Sequence, residues 1–551
     1  MQNGAMDTTY GVVMVKGTHV AIIRNRRDLL RLVGTSAVIG VSGVLAACGA
    51  QARIQTPDMI MHTAPSASFV PDLDITLQAH ASQVQILPGA ATTVWTYTGR
   101  VNAGDATAVQ TLPGSYLGPI IRARTGQKVR ITFENQLPDA DQASIIHWHG
   151  MHTPAQSDGH AMSVIAPGEQ AVYEFVVADR AGTYWFHPHP HGHIARQVMM
   201  GLAGLFVVSD AQSDALALPR DAYDIPLIIQ DRTFDANNQI VYDGNHMAQM
   251  MGFLGERILV NGTPDYVMTL ATRVYRLRLL NGSNSRIYKL AWSNGAVMTV
   301  IGSDGGLLPA PVNRDFVMLA PGERVELWLD LHDMPVGSQL ALLSTAFAGA
   351  ESNTGMGMGM MDSGNAPPLG STMPILRIDV TTAEPETLTL PTQLTPITRF
   401  QVADAVNASN PRTVAITLNG MQWQLNGRSY EMDVVAADEV VKLNTLEVWQ
   451  IRNELNPGQM MDANGMAHPI HIHGGQFQIV TREVLPELQS AWNDVKTGYV
   501  DDGWKDTVLV MPGERVTLLM QFRDYTGMYV YHCHNLEHED AGMMRNFRVD
   551  A

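Results

Sequence analysis

The sequence predicts an all-β protein built from three related β-sandwich domains, and three observations carry that reading. First, a Pro-Gly turn recurs ahead of an alternating strand. Ala166-Pro167-Gly168-Glu169 precedes the run 170–175, Ala320-Pro321-Gly322-Glu323 precedes 324–329, and Met511-Pro512-Gly513-Glu514 precedes 515–520. Second, each turn has a strand upstream of it that ends in asparagine, at Asn135, Asn281 and Asn453. Third, 29 prolines and 48 glycines in 551 residues, with only 16% charged residues, describe a loop-rich β chain rather than a coiled coil or a disordered one. A unit repeated in fixed order at a period of about 150 residues implies related domains. They are expected at 70–212, 213–390 and 391–551, with short strands and frequent turns making each a sandwich.

The first element in the chain reads as an export signal. Arg26-Arg27-Asp28-Leu29-Leu30 precedes an apolar, small-residue run from Leu32 to Ala47 that is too short for a comfortable membrane span. The stretch 1–48 resembles a twin-arginine signal, and Leu45-Ala46-Ala47-Cys48 resembles a bacterial lipobox. The expectation is a protein exported to the periplasm or the extracytoplasmic cell surface, with a lipid anchor at Cys48. Residues 49–69 read as the linker to the folded body. Residues 1–48 carry five Lys/Arg and two Asp/Glu, a net +3, so their removal takes the formal charge from −17 to −20. That acidic balance argues against a nucleic-acid partner. A monomer is expected.

The histidines follow the repeats, and the middle repeat lacks them. After its Asn strand, the first domain has His147-Trp148-His149 and the third has His471-Ile472-His473, whereas the second has Tyr288-Lys289-Leu290. Twenty residues after the turn proline, the first reaches His187-Pro188-His189 and the third His532-Cys533-His534, whereas the second has Ala341-Leu342-Leu343. Residues i and i+2 of a strand share a face, so each pair presents two imidazoles on one side. If domains one and three meet, eight imidazoles converge, enough for a cluster of about three metal ions. Neutral imidazole suits copper.

Cys533 marks a second site. Its sulfur points to the face opposite His532 and His534. His538 follows five residues later, Met543 ten residues later, and His468 precedes His471 by three. One Cys, two His and a weak axial Met are the ligands of a blue-copper electron-transfer site. The two sites would then be joined covalently through residues 532–534.

These motifs, His147-Trp148-His149-Gly150, the run 185–192, the run 468–474 and the run 532–544, resemble those of three-domain multicopper oxidases of the bacterial laccase and cuprous-oxidase kind. The resemblance covers essentially the whole chain after the signal. It implies three cupredoxin-like, Greek-key β-sandwich domains and four copper ions. It implies that His468, Cys533, His538 and Met543 hold the type 1 copper, and that His147 and His471 hold type 2. The type 3 pair would take His149, His187, His189, His473, His532 and His534. The implied activity couples four one-electron oxidations of a small reducing substrate to reduction of O2 to water. Asp158 and Glu539 match the family's acidic positions near the cluster, where they would serve as proton relays.

The donor is the remaining question. A phenol or an aromatic amine is the laccase-like expectation. Cuprous ion is the alternative, because thioethers are soft ligands that select Cu(I). Met356, Met358, Met360, Met361 and Asp362 form a Met-rich run at 355–362 in the second domain, and Met460, Met461 and Met466 precede His468. Met466 fits a methionine that the resemblance places two residues before the first type 1 histidine, while Asn464 stands where those enzymes have an acid. The run also reads as a low-complexity loop covering apolar surface. His246, Met247, Met250 and Met251 form another small cluster.

Overall fold

The computed structural model describes residues 15–16, 19–20, 64–138, 142–350, 365–453 and 465–551. The chain divides into two compact units, Met1–Ala50 and Gln51–Ala551. In the first, Val15–Lys16 pairs antiparallel with His19–Val20. The twin-arginine-like stretch, Cys48 and the Met-rich run 355–362 lie outside the described residues.

The second unit is strand-rich, and its sheets follow one another in pairs along the sequence. A four-stranded sheet runs in the order Thr92–Ala103, Leu73–Val84, Lys128–Gln136, Gln170–Val176. It faces a five-stranded sheet that ends on Gly182–Pro188 and Ile146–His149. Side chains from both, such as Ile75, Ile131 and Phe133 on one and Trp148, Phe186 and Phe206 on the other, form one buried core. Lys128–Gln136 shows why such a strand forms. Its alternate residues Val129, Ile131, Phe133 and Asn135 are buried and their neighbours face outward, the period of a half-buried strand. Sheets of residues 224–330 and 267–382 enclose a second core, and two sheets between 412 and 550 enclose a third. Pairing is mixed. Leu73–Val84 runs parallel to Lys128–Gln136, Asp224–Phe234 to Val274–Asn281, and Arg412–Asn419 to Thr445–Arg452.

The two repeated sequence signals turn out to be partners. The backbone N–H of Gly168, Gly322 and Gly513 donates to the carbonyl of Asn135, Asn281 and Asn453 respectively. The Asn N–H in turn donates to the carbonyl of the turn glutamate, Glu169, Glu323 or Glu514. Each glutamate side chain accepts from the backbone N–H at the start of its own turn, at Ala166, Ala320 and Met511. Each asparagine Nδ2 donates to two carbonyls, Gln142 and Ile165 in the first case, Arg286 and Leu319 in the second, Met466 and Val510 in the third. A short polar side chain that satisfies two buried backbone acceptors is costly to replace. This clasp ties the two ends of the segment between the asparagine and the turn, and in the first and last copies that segment carries a histidine strand, Ile146–His149 or His468–Ile472.

Candidate metal centre

Strand register brings the histidines together. Ile146–His149 pairs antiparallel with Gly182–Pro188 so that His147 lies opposite His187. His468–Ile472 pairs with Gly527–Cys533 so that His471 lies opposite His532 and Ile470 opposite Cys533. The period of two then assigns faces. His471 and His532 share one face, whereas His468, Ile470 and Cys533 share the other. His189, His473 and His534 fall just past the ends of their strands, yet their ligand atoms still group with those of the strand histidines.

On the first face, ligand atoms of His147, His149 and His471 lie within 4.8 Å of one another, as do those of His149, His187 and His534, and those of His189, His473 and His532. The Nε2 atoms of His147 and His471 are 3.3 Å apart, and those of His473 and His532 are 3.1 Å apart. The opposite nitrogens are held by the chain. His147 Nδ1 donates to the Asp158 carbonyl at 2.7 Å and His471 Nδ1 to the Asp506 carbonyl at 2.8 Å. His473 Nδ1 donates to Asp158 Oδ2 at 2.7 Å, and His149 Nε2 donates to Asp506 Oδ1 at 3.0 Å. Each such bond selects the tautomer that leaves the other nitrogen as a lone pair.

That arrangement fits a metal. His149 Nδ1, His187 Nε2 and both nitrogens of His534 are buried without a hydrogen-bond partner, a costly state for polar atoms unless they serve as ligands. Burial, reinforced by neighbouring imidazoles, holds His147, His149, His187, His471, His473 and His534 well below the usual imidazole range. Neutral, soft-edged nitrogen donors without a hydration shell suit copper.

On the second face, Cys533 Sγ lies 3.5 Å from His468 Nδ1 and 3.6 Å from His538 Nδ1. The Asn535 side chain caps the helix Leu536–Asp540 by accepting from the His538 N–H, and the Asn535 N–H points at Sγ from 3.4 Å. Met543 is fully buried in the same core as Cys533, and its carbonyl accepts from the Cys533 N–H at 3.0 Å. Burial pushes the Cys533 thiol up, and burial brings His538 down to about 3. A metal bound here must displace the thiol proton, as thiolate sites do. His538 Nε2 donates to the Met250 carbonyl at 2.9 Å, and Trp423 Nε1 donates to the same oxygen at 2.9 Å.

The two carboxylates singled out in the sequence are both buried at the cluster. Asp158 bridges His473 and, through its carbonyl, His147, and burial raises its carboxyl well above the usual range. Glu539 Oε1 is 3.0 Å from His189 Nε2, and Oε2 is 3.1 Å from His532 Nδ1. Burial pushes Glu539 up, but the two imidazoles outweigh it and hold the carboxyl well below its usual range. Met466 is buried beside the Cys533 core.

Several contributors carry no sequence signature. Asp506 contacts His149 and is paired by the buried Arg324, whose Nη1 lies at 2.8 Å. Gly322, in the turn of the His-free middle repeat, packs against the cluster. A Cβ there would sit 3.0 Å from the His534 ring and 3.1 Å from the His149 ring. The repeated turn was visible in sequence, but its contact with His149 and His534 was not.

A strand-rich fold with a buried imidazole cluster joined through Cys533 to a thiolate site defines a copper redox protein. The comparisons with known proteins make the class specific. Two family profiles, each described as multicopper oxidase, match the chain, one over residues 90–213 and the other over 392–551. A laccase of Bacillus stratosphericus is 32% identical over 487 residues, covering 80% of this chain and 90% of that protein. The multicopper oxidase mco of Staphylococcus haemolyticus is 31% identical, covering 79% and 83%. The crystal structure of the McoA multicopper oxidase from Aquifex aeolicus superposes with a TM-score of 0.72 at 31% identity, covering 88% of this chain and 97% of that one. The chain belongs to the multicopper oxidase family.

Proposed function

We propose that this protein is a laccase-like oxidase, coupling four one-electron oxidations of a phenolic or aromatic-amine donor to reduction of O2 to water. The observation that carries the reading is the register of Gly527–Cys533 against His468–Ile472, which puts the thiolate set and the imidazole set on opposite faces of one strand.

In this reading His468, Cys533, His538 and Met543 hold the type 1 ion, and His147 and His471 hold type 2. His149, His187 and His534 hold one type 3 ion, with His189, His473 and His532 holding the other. His149 belongs to type 3 because Asp506 and Thr507 occupy its Nε2, leaving Nδ1 to join His187 and His534. When bound, copper supplies one-electron redox chemistry at the thiolate set and O2 reduction at the imidazole cluster. The residues do the rest. Cys533 links the two sets covalently through its own backbone. Asp158 orients His147 and His473, accepting from His473 at Oδ2, so the proton that its raised carboxyl favours is held at Oδ1. Glu539, held ionised between His189 and His532, accepts a proton from the solvent side and passes it inward. The wider organisation is three cupredoxin domains at 70–212, 213–390 and 391–551, supported by three successive sheet pairs and the threefold Asn-turn clasp. Residues 1–48 act as a twin-arginine export signal with lipidation at Cys48, followed by the linker 49–69. The product is a periplasmic or cell-surface monomer.

A second reading, oxidation of Cu(I), is favoured by one observation. The His538 edge is covered by the Met250 carbonyl, and both type 1 imidazoles are fully buried, so an aromatic ring has no direct contact with them. Met250 and Met251 pack at that cover, and Met466 lies behind it. The sequence adds the Met-rich run 355–362. Deleting 355–362 and comparing Cu(I) with a phenol and an aromatic diamine separates the two readings: selective loss of Cu(I) turnover supports the second, and unchanged Cu(I) turnover removes the loop from it. For the family-level function, Cys533→Ser abolishes blue absorption and O2 uptake together. Retention of either contradicts the assignment.

A further inference from the structure

Away from the copper sites, a cavity of about 440 Å³ opens where the chain crosses from the first sheet pair to the second. Its walls come from the strands Ile120–Arg124 and Val274–Asn281 and from the connecting segment 213–224. Four arginines line it, Arg122, Arg276 and Arg278 on the inner wall and Arg220 at the rim. Two carboxylates answer them. Glu326 takes both Nε and Nη2 of Arg276 and one nitrogen of Arg278, and Asp224 takes the other two nitrogens of Arg278. Glu326 Oε1 also accepts from the Thr183 hydroxyl at 2.7 Å, and neither carboxylate hydrogen-bonds Arg122. Arg122 is left with one neutral partner, its Nε donating to Gln110 Oε1 at 2.9 Å. On the exposed rim, Asp214 pairs with Arg124 and Arg220, and Asp221 is the remaining acid.

Arg122 is therefore the inner-wall arginine that makes no ion pair with a carboxylate, Asp224 and Asp221 acting on it only from farther away, and it sits in a concave, half-buried place. A guanidinium does not escape such a position by losing its proton. Burial first, then proximity of like charges, pushes both Arg122 and Arg276 below the ordinary arginine range despite their acidic neighbours. The outer nitrogens of Arg122 form a fork that matches two oxygens of a carboxylate or phosphate. The volume lies within the range that holds small ligands.

We propose that this cleft binds a small oxyanion, a phosphate or a short carboxylate, through the Arg122 guanidinium with Arg276 behind it. The site is independent of the copper chemistry and acts on the junction between the first two sheet pairs, which the anion would brace by engaging the outer nitrogens of Arg122.

The test uses the copper-loaded enzyme and Arg122→Met, which keeps the length of the stem and removes the fork. Arg122 is preferred to Arg276 because its loss leaves no buried carboxylate unpaired. Inorganic phosphate and succinate are titrated separately at ionic strength held constant with sodium chloride, with calorimetry and the melting temperature as readouts. The wild type binds at least one of the two saturably, with a matching rise in Tm, and which one saturates identifies the source. In Arg122→Met the half-saturating concentration rises tenfold or more, the anion-free Tm is equal or higher, and O2 uptake with a phenolic donor is unchanged. A wild type that shows no saturable response to either anion overturns the proposal, as does an equal response in Arg122→Met.

Discussion

Alanine at Gly322 and alanine at Gly168 separate two kinds of strain carried by the same repeated turn. Both glycines stand third in an Ala-Pro-Gly-Glu turn, with φ of +84° and +88°. An L-residue in that left-handed region costs about 1–2 kcal/mol. At Gly168 nothing lies within 4 Å of the added Cβ, so Gly168→Ala carries that backbone cost alone. At Gly322 the Cβ meets the His534 ring at 3.0 Å and the His149 ring at 3.1 Å. Both rings are fully buried and must give by a few tenths of an ångström. Overpacking of that kind adds about 1–3 kcal/mol, for a total of about 2–5 kcal/mol. The displaced rings belong to the imidazole cluster, so Gly322→Ala also loses copper there while keeping its blue colour, because Cys533 lies on the opposite face. Denaturation midpoints, copper-to-protein ratio and visible absorption read all three effects. If Gly322→Ala matches Gly168→Ala in stability and retains the full copper content, the middle repeat does not shape the cluster and the reasoning fails.

Two further perturbations test other contacts. Asp506→Asn removes the nearer carboxylate of the buried Arg324, which keeps only Asp304 at 3.7 Å, and weakens the bond that orients His149. Breaking such a pair costs about 3–5 kcal/mol, and copper content at the cluster falls with blue absorption retained; a variant of wild-type stability and copper content contradicts this role. His160 is buried with Nε2 donating to Asn546 Oδ1 and Nδ1 accepting from the Met162 N–H, and burial lowers its pKa to about 4. Because the folded value lies below the unfolded one of about 6.5, its contribution is complete above that pH. It is lost as pH falls toward 4, amounting to about 3 kcal/mol. The stability difference between wild type and His160→Gln therefore shrinks from pH 7 to pH 4, and a difference that is flat or grows on acidification refutes it.

The convergence of the histidines, with Cys533 facing away from them, was legible in the sequence because a period of two is a local rule. His-X-His declares its face without reference to any other segment, and Cys533 between two histidines declares the opposite one. The repeated Pro-Gly-Glu turns and strand-ending asparagines were legible as signals for the same reason. Their mutual hydrogen bonds were not, since Asn135 and Gly168 are far apart in sequence. Asp506 was illegible because one acid at the start of a strand has no pattern, and its meaning comes from Arg324 on another sheet. The Met250 carbonyl over His538 was illegible in principle, because every residue has a carbonyl. The lack of a carboxylate partner at Arg122 likewise emerges only when the partners of Arg276 and Arg278 have been assigned.

The central claim is that two joined donor sets on opposite faces of one strand carry out complete reduction of O2. The most direct measurement is the ratio of donor electrons consumed to O2 consumed by the purified, copper-loaded protein, with peroxide monitored at the same time. The account predicts four electrons per O2 and no accumulating peroxide. A ratio of two with stoichiometric peroxide, or donor oxidation without O2 uptake, would contradict it.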